Sequence, residues 1–394
     1  MVTSAVGGWA RVRKIGALTR CARRGTSSPE GRGVNAGRED YRAGLRGGVG
    51  SDKALSMGKK DPGADAGVAG KRGRHIYAVG ALFIGLPALI WIVAAIFVAR
   101  SLKYPAFLYL GNGQDVFGVH VPGFKRGSVT DVAAAIGVEP ERFDAGTVED
   151  DAGRHRAVTV VGWYFPGARR EVVVILPAAG ASEDQLIPYI KFLHAAGYTV
   201  VANYSSNNPE FGISWGLLKR KFGLATARAL KEDGFEKIAV LGISEGAAGA
   251  IMAQAEQPVF TAIVADSSYA NLAQLLMRSP SIARLNPAFA NTVLWEARWW
   301  MGRAINKVSP VADAAKLRNC PILVIQNRGD KITPPEDGKA ILYAAGVNSE
   351  IWIAPSDGHG DAIYEAPADY AARVVKFLNT SFGIEAPAAA PKGR

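Results

Sequence analysis

The 394-residue sequence predicts an α/β fold, a mostly parallel sheet with helices on both faces, preceded by one transmembrane helix. Three observations lead there. From about residue 155 onward, apolar β-rich runs alternate with helical patterns, which requires crossover connections and hence parallel strands. Two runs, Val172–Leu176 and Ile322–Ile325, are apolar without alternation, as strands buried on both faces are. Ile76–Ala99 is an uncharged, mostly apolar run of 24 residues.

Residues 1–75 hold 16 Lys and Arg against 6 Asp and Glu, so ten of the eleven net positive charges lie there. The rest of the chain is nearly neutral, with no basic stripe interleaved with aromatics, which disfavours nucleic-acid binding. The segment is rich in Gly, Ala, Arg and Ser and cannot bury enough surface to offset its ordering entropy, so it is expected to be disordered. Met57-Gly-Lys-Lys60 reads as a second start, which leaves open whether residues 1–56 are translated.

At about 1.5 Å rise per residue, Ile76–Ala99 is long enough to cross a hydrocarbon core. Pro87 lies inside it, which bilayer helices tolerate. Lys59, Lys60, Lys71, Arg72 and Arg74 precede it, and only Arg100 and Lys103 follow closely. The positive-inside rule then puts the N-terminus in the cytosol and the rest outside. A cleaved signal peptide is the rival; the run is long for one, and Phe97-Val98-Ala99 lacks the small residue three before the cut. Residues 100–154 carry an acidic patch, Glu139 to Asp151, with little pattern, and read as a membrane-proximal lead-in.

Within the domain over 155–383, strands are predicted at 158–164, 172–176, 199–203, 237–241, 261–265, 322–326 and 350–354. Helices are predicted near 183–196, 216–233, 246–256, 335–345 and 367–382. Residues 384–394, rich in Ala and Pro, read as a second disordered tail.

The chemistry gathers at the strand ends, where open parallel sheets place it. Gly242-Ile-Ser244-Glu-Gly246 lies between an apolar strand and a small-residue helix, the setting in which G-x-S-x-G is a nucleophile elbow. Asp330 follows the strand ending at Gln326, and His359 follows the strand ending at Ala354. A serine needs a base to remove its proton, a histidine supplies one near neutrality, and a carboxylate fixes the histidine's tautomer. Of the five histidines, at 75, 120, 155, 194 and 359, only His359 stands in a glycine-flanked strand-end loop. For the acid, Asp313, Asp337 and Asp357 lie near Asp330 and remain rivals. The backbone N–H of Glu245 is the first expected oxyanion donor; the second comes from Pro177–Ser182, with Ala179 chosen and Ala178 the alternative. Neither Cys21 nor Cys320 has metal-ligand spacing, and the site calls for no metal or cofactor.

With these residues in place, the chain resembles the α/β-hydrolases of the serine-aminopeptidase-like and membrane-anchored BEM46-like type. The carriers are Val161–Pro166, Gly242–Gly246, Asp266–Leu272, Ser309-Pro310, Pro321–Asp330 with Thr333-Pro334, and Gly358–Gly360. The resemblance covers about residues 155–383 and implies a triad of Ser244, Asp330 and His359 acting on esters, thioesters, lipids or, in some relatives, peptides. Two departures stand out: Pro177-Ala178 where the family carries His-Gly, and Asn203–Asn208 where it carries a charged turn. Residues 267–308 fall where the fold carries a lid, and Leu275, Leu276, Trp295, Trp299 and Trp300 fit either a cover over an acyl pocket or plain helix packing.

The sequence therefore supports a membrane-anchored serine esterase whose partners are a small-molecule or lipid ester and the membrane. A serine peptidase and a non-catalytic binding protein of the same fold are the alternatives.

Overall fold

The computed structural model describes residues 12–14, 84–103, 132–150, 156–181, 183–204, 212–303, 305–317, 319–346 and 348–384. From Leu89 onward the described chain forms one compact unit, joined by Val12–Lys14; Gly16–Ala88 fall outside it.

The sheet has nine strands: β1 (Val12–Lys14), β2 (Glu141–Asp150), β3 (Arg156–Phe165), β4 (Val172–Leu176), β5 (Thr199–Asn203), β6 (Ile238–Ile243), β7 (Ala262–Asp266), β8 (Ile322–Asn327) and β9 (Ser349–Ala354). Their spatial order is β1-β2-β3-β5-β4-β6-β7-β8-β9. The pairs β2/β3 and β3/β5 are antiparallel, and every other pair is parallel. The strands β4 to β8 are buried along their whole length, which is why their sequences run apolar rather than alternating. Two apolar layers cover the two faces. Val172, Val174 and Leu176 point into one with Phe222 and Ile251; Val173 and Ile175 point into the other with Tyr189, Tyr370 and Leu378.

The helices are α1 (Leu86–Lys103), α2 (Val132–Ile136), α3 (Ile187–Ala195), α4 (Leu217–Glu232), α5 (Glu245–Glu256), α6 (Leu272–Arg278), α7 (Pro280–Ala283), α8 (Pro287–Met301), α9 (Pro310–Ala314), α10 (Pro335–Ala345), α11 (Ala362–Glu365) and α12 (Pro367–Phe382). Their termini follow local chemistry. Asn271, Asn286 and Ser309 accept from backbone N–H groups at the starts of α6, α8 and α9, and Pro287, Pro310, Pro335 and Pro367 open their helices.

The structure departs from the sequence reading in three places and describes a fourth feature only in part. Glu141–Asp150, read as part of a patternless lead-in, is the ten-residue strand β2. Only Phe143 and Asp150 are buried along it, so its acidic outer positions hide the strand signal. Within the tail read as disordered, Val12–Lys14 pairs parallel to Arg142–Asp144 as an edge strand; the other residues of 1–75, and 385–394, lie outside the described residues. The apolar run 76–99 is described only from residue 84, within α1 and its lead-in; among the described residues no helix is long and apolar enough to cross a membrane. Lastly, the lid-like insertion 267–308 holds α6, α7 and α8, with Leu275 and Leu276 buried and Trp300 half-buried, but Trp295 and Trp299 are 53% and 63% exposed. Those two indoles face outward.

Candidate active site

Ser244 occupies the turn between β6 and α5 with φ 52° and ψ −111°, a conformation costly for a residue with a Cβ. The turn is held by Ser244 N donating to Asp266 O at 2.7 Å, and by Ala247 N and Ala248 N donating back to Ser244 O at 3.1 Å. Both motif glycines are required by contact. A Cβ on Gly246 would overlap the Leu176 carbonyl, and one on Gly242 would come within 2.5 Å of Ala247 Cα. The close approach at Gly246 sets the elbow directly against the start of the loop after β4.

Three side chains meet at the strand ends. Ser244 Oγ lies 2.8 Å from His359 Nε2, and His359 Nδ1 lies 2.7 Å from Asp330 Oδ2. Asp330 is 3% exposed and otherwise saturated: Oδ1 accepts from Ile332 N at 2.8 Å and Thr333 N at 3.0 Å, and Oδ2 accepts from Thr333 Oγ1 at 2.7 Å. These bonds fix the carboxylate and aim its remaining lone pair at the imidazole. His359 is buried, which alone pulls its pKa down. The Asp330 charge and hydrogen bond, with Asp266 and Asp361 behind them, outweigh that and leave it above the ordinary imidazole value. Burial pushes the Asp266 and Asp361 carboxyls up to about 6.

The rival acids are engaged elsewhere. Asp337 is bound by Arg278 Nη2 at 2.5 Å and Nη1 at 3.2 Å; Asp313 accepts from Lys316 Nζ at 2.6 Å. Asp357 packs against Gly329, where an added Cβ would strike it. His194, on α3, has Nε2 3.1 Å from Pro166 O, and His75, His120 and His155 lie outside the described residues.

Glu245 leads α5, so its N–H is among the unpaired first N–H groups of that helix. Ala179 lies in the loop after β4 and packs, half-buried, against the cluster beneath α6 and α8; Ala178 packs against the opposite layer. Ser182 of the same loop is outside the described residues. The described residues hold no group of His, Cys, Asp and Glu able to hold a metal ion.

Three residues have contacts at the site that motif reading does not assign. The Glu245 side chain is buried and its Oε1 accepts from Ser214 N at 2.8 Å, Ser214 Oγ at 2.6 Å and Gly216 N at 3.1 Å. It ties the elbow to a strained loop in which Trp215 has φ 52°. Thr333 bridges acid and base, its Oγ1 3.1 Å from His359 Nδ1; its signal is its place three residues after Asp330. Asp361 sits two residues past His359, against Gly358, where an added Cβ would overlap it.

Residues 224–385 match the family model described as the prolyl oligopeptidase family, and the match contains Ser244, Asp330 and His359. An esterase of Pyrococcus furiosus is similar in structure, with a TM-score of 0.50 and 21% identity over 64% of this chain and 95% of that one. An acylaminoacyl peptidase of Pyrococcus horikoshii is similar with a TM-score of 0.46 and 17% identity over 61% of this chain and 41% of that one. The naproxen esterase of Bacillus subtilis is similar with a TM-score of 0.43 and 16% identity over 63% of this chain and 95% of that one. No curated protein matches the sequence. The strand order, the matched segment and the Pyrococcus furiosus likeness agree: this chain has the α/β-hydrolase fold.

Proposed function

We propose that the protein is a serine hydrolase that cleaves carboxylic esters or thioesters through an acyl-Ser244 intermediate. The observation that carries this reading is the unbroken relay from Ser244 Oγ through His359 to Asp330, at 2.8 and 2.7 Å. Ser244 Oγ attacks the carbonyl carbon while its proton passes to His359 Nε2. Asp330 holds the ring by Nδ1–H and stabilises the imidazolium. The backbone N–H groups of Glu245 and Ala179 receive the developing oxyanion. The tetrahedral adduct collapses, and the leaving alcohol or thiol takes the proton from Nε2. Water then attacks the acyl-enzyme, giving one proton to Nε2, and Ser244 regains it as the acid departs.

We also propose that the apolar run 76–99 attaches the enzyme to a membrane, with the catalytic domain outside the cytosol. The asymmetry of flanking basic residues and the apolar outer side of α1 support this. A serine peptidase is the second reading, favoured by the prolyl oligopeptidase family match. The test is turnover by the detergent-solubilised full chain on p-nitrophenyl esters of graded acyl length and on peptide p-nitroanilides. Faster ester cleavage that rises with acyl length is expected. Faster anilide cleavage establishes the peptidase, and no turnover of either leaves a binding protein.

A further inference from the structure

The helix α1 is built inside out for a helix in water. Its buried positions are small or few, with Ala95, Ala99 and Leu102 set into an apolar cluster with Val293, Ala297 and Met301 of α8. Its outward positions are large and apolar: Leu89, Ile90, Ile92, Val93, Ile96 and Phe97 are 37–74% exposed. Trp91 Nε1 donates to Thr292 Oγ1 at 3.2 Å and its ring meets Phe289 edge-on at 5.0 Å, while the Arg100 guanidinium lies 5.8 Å from the Trp300 ring centre. Because Trp91 meets the start of α8 and Arg100 meets its end, α1 and α8 run side by side in the same direction.

The outer face of α8 differs from that of α1. It carries Asn291, Trp295 and Trp299, with the Arg298 guanidinium 3.7 Å from the Trp295 ring centre and 4.8 Å from that of Trp299. The cations Arg100 and Arg298 of the helix pair therefore lie with Trp299 and Trp300 at one end, and the exposed hydrocarbon of α1 runs from Phe97 back to Leu89 toward the other, where Trp91 meets Phe289. Such an ordering matches the cross-section of a bilayer leaflet, aliphatic inside and Trp with Arg at the headgroups. From Glu296 to Val308 the end of α8 and the turn after it hold Arg298, Arg303 and Lys307 against Glu296 alone, so this end suits anionic lipid.

We infer that α1 and α8 form one bilayer-contacting surface, with Trp295, Arg298 and Trp299 seated among anionic phospholipid headgroups. This rests on the membrane attachment proposed above, and on the hydrolase reading only for its consequence. The cluster that seats both helices also packs against Ala179 and includes Ile332, next to the proposed oxyanion donor and to Asp330. The lid-like insertion and the wall of the site are thus one packed body, along which an acyl ester dissolved in the membrane would reach Ser244.

The test uses the full chain with Cys21→Ser and Cys320→Ala, carrying Trp299→Cys labelled with an NBD dye and reconstituted into vesicles of phosphatidylcholine and phosphatidylglycerol. The control is Tyr343→Cys on α10, where the native side chain is 82% exposed. The dye at 299 is expected to shift to the blue and to be quenched by spin-labelled lipid, with the dye at 343 unaffected. Equal exposure of both dyes to aqueous iodide would overturn the inference. So would a dye at 299 that is shielded from iodide, silent to spin-labelled lipid and close in energy transfer to a second copy, because the face would then be a dimer interface. Flotation with the vesicles separates the two readings: protein that floats with an iodide-exposed dye at 299 keeps its anchor and loses only this surface, whereas protein that stays behind loses both. Fluorophosphonate labelling of the same samples reports the hydrolase reading independently, since Ser244 reacts whether or not α8 touches lipid.

Discussion

At the scale of single residues, the choice of acid decides the chemistry. Asp330, Asp313, Asp337 and Asp357 are close in sequence, and of these it is Asp330 that reaches His359. Asp330→Asn is expected to keep the fold and to lower kcat on the order of 10⁴-fold, because the amide favours the wrong imidazole tautomer. Asp337→Asn is expected to cost stability through Arg278 and little turnover, which steady-state kinetics beside thermal melts separates. The pH profile gives an independent reading. His359 must be neutral to take the serine proton, and its pKa is raised, so activity falls as pH drops through that raised value. The acid limb of kcat/KM in the native enzyme is therefore expected above about 6.5, and in Asp330→Asn the limb moves down, since burial then acts on the imidazole without its countercharge.

At the scale of elements, legibility followed burial. The central strands β4 to β8 and the helices α5, α10 and α12 were readable to within about two residues, because strands buried on both faces leave continuous apolar runs. The strand β2 was not readable, because one face of an antiparallel edge region tolerates Glu and Asp. The outward turn of Trp295 and Trp299 was not readable either, since a Trp-rich helical stripe reads the same whether it faces a core or points outward. That Ser244, Asp330 and His359 could meet was legible from order and strand-end placement, whereas the bonds of the Glu245 side chain were not, because its three donors come from a loop about 30 residues away. Glu245→Ala leaves the donors of Ser214 and Gly216 without this acceptor and removes the charge that favours the buried Lys219 ammonium. Burial already pulls that ammonium down to about 8. Urea unfolding is expected to show a loss of roughly 1–3 kcal/mol, about the cost of orphaned buried donors.

At the scale of the whole molecule, the proposed topology places the N-terminus in the cytosol and everything after Arg100 outside. A phosphatase fused after Arg394 is expected to be active only in the extracytoplasmic compartment, and activity in the cytosol would reverse the orientation. The central claim is chemical, however, and reduces to one atom, Ser244 Oγ. A fluorophosphonate probe applied to the solubilised full chain, followed by mass spectrometry of the modified peptide, tests it most directly. The account predicts a single adduct on Ser244, lost in Ser244→Ala and sharply slowed in His359→Ala. Labelling of Ser244→Ala at the native rate, or an adduct on another serine, would contradict it.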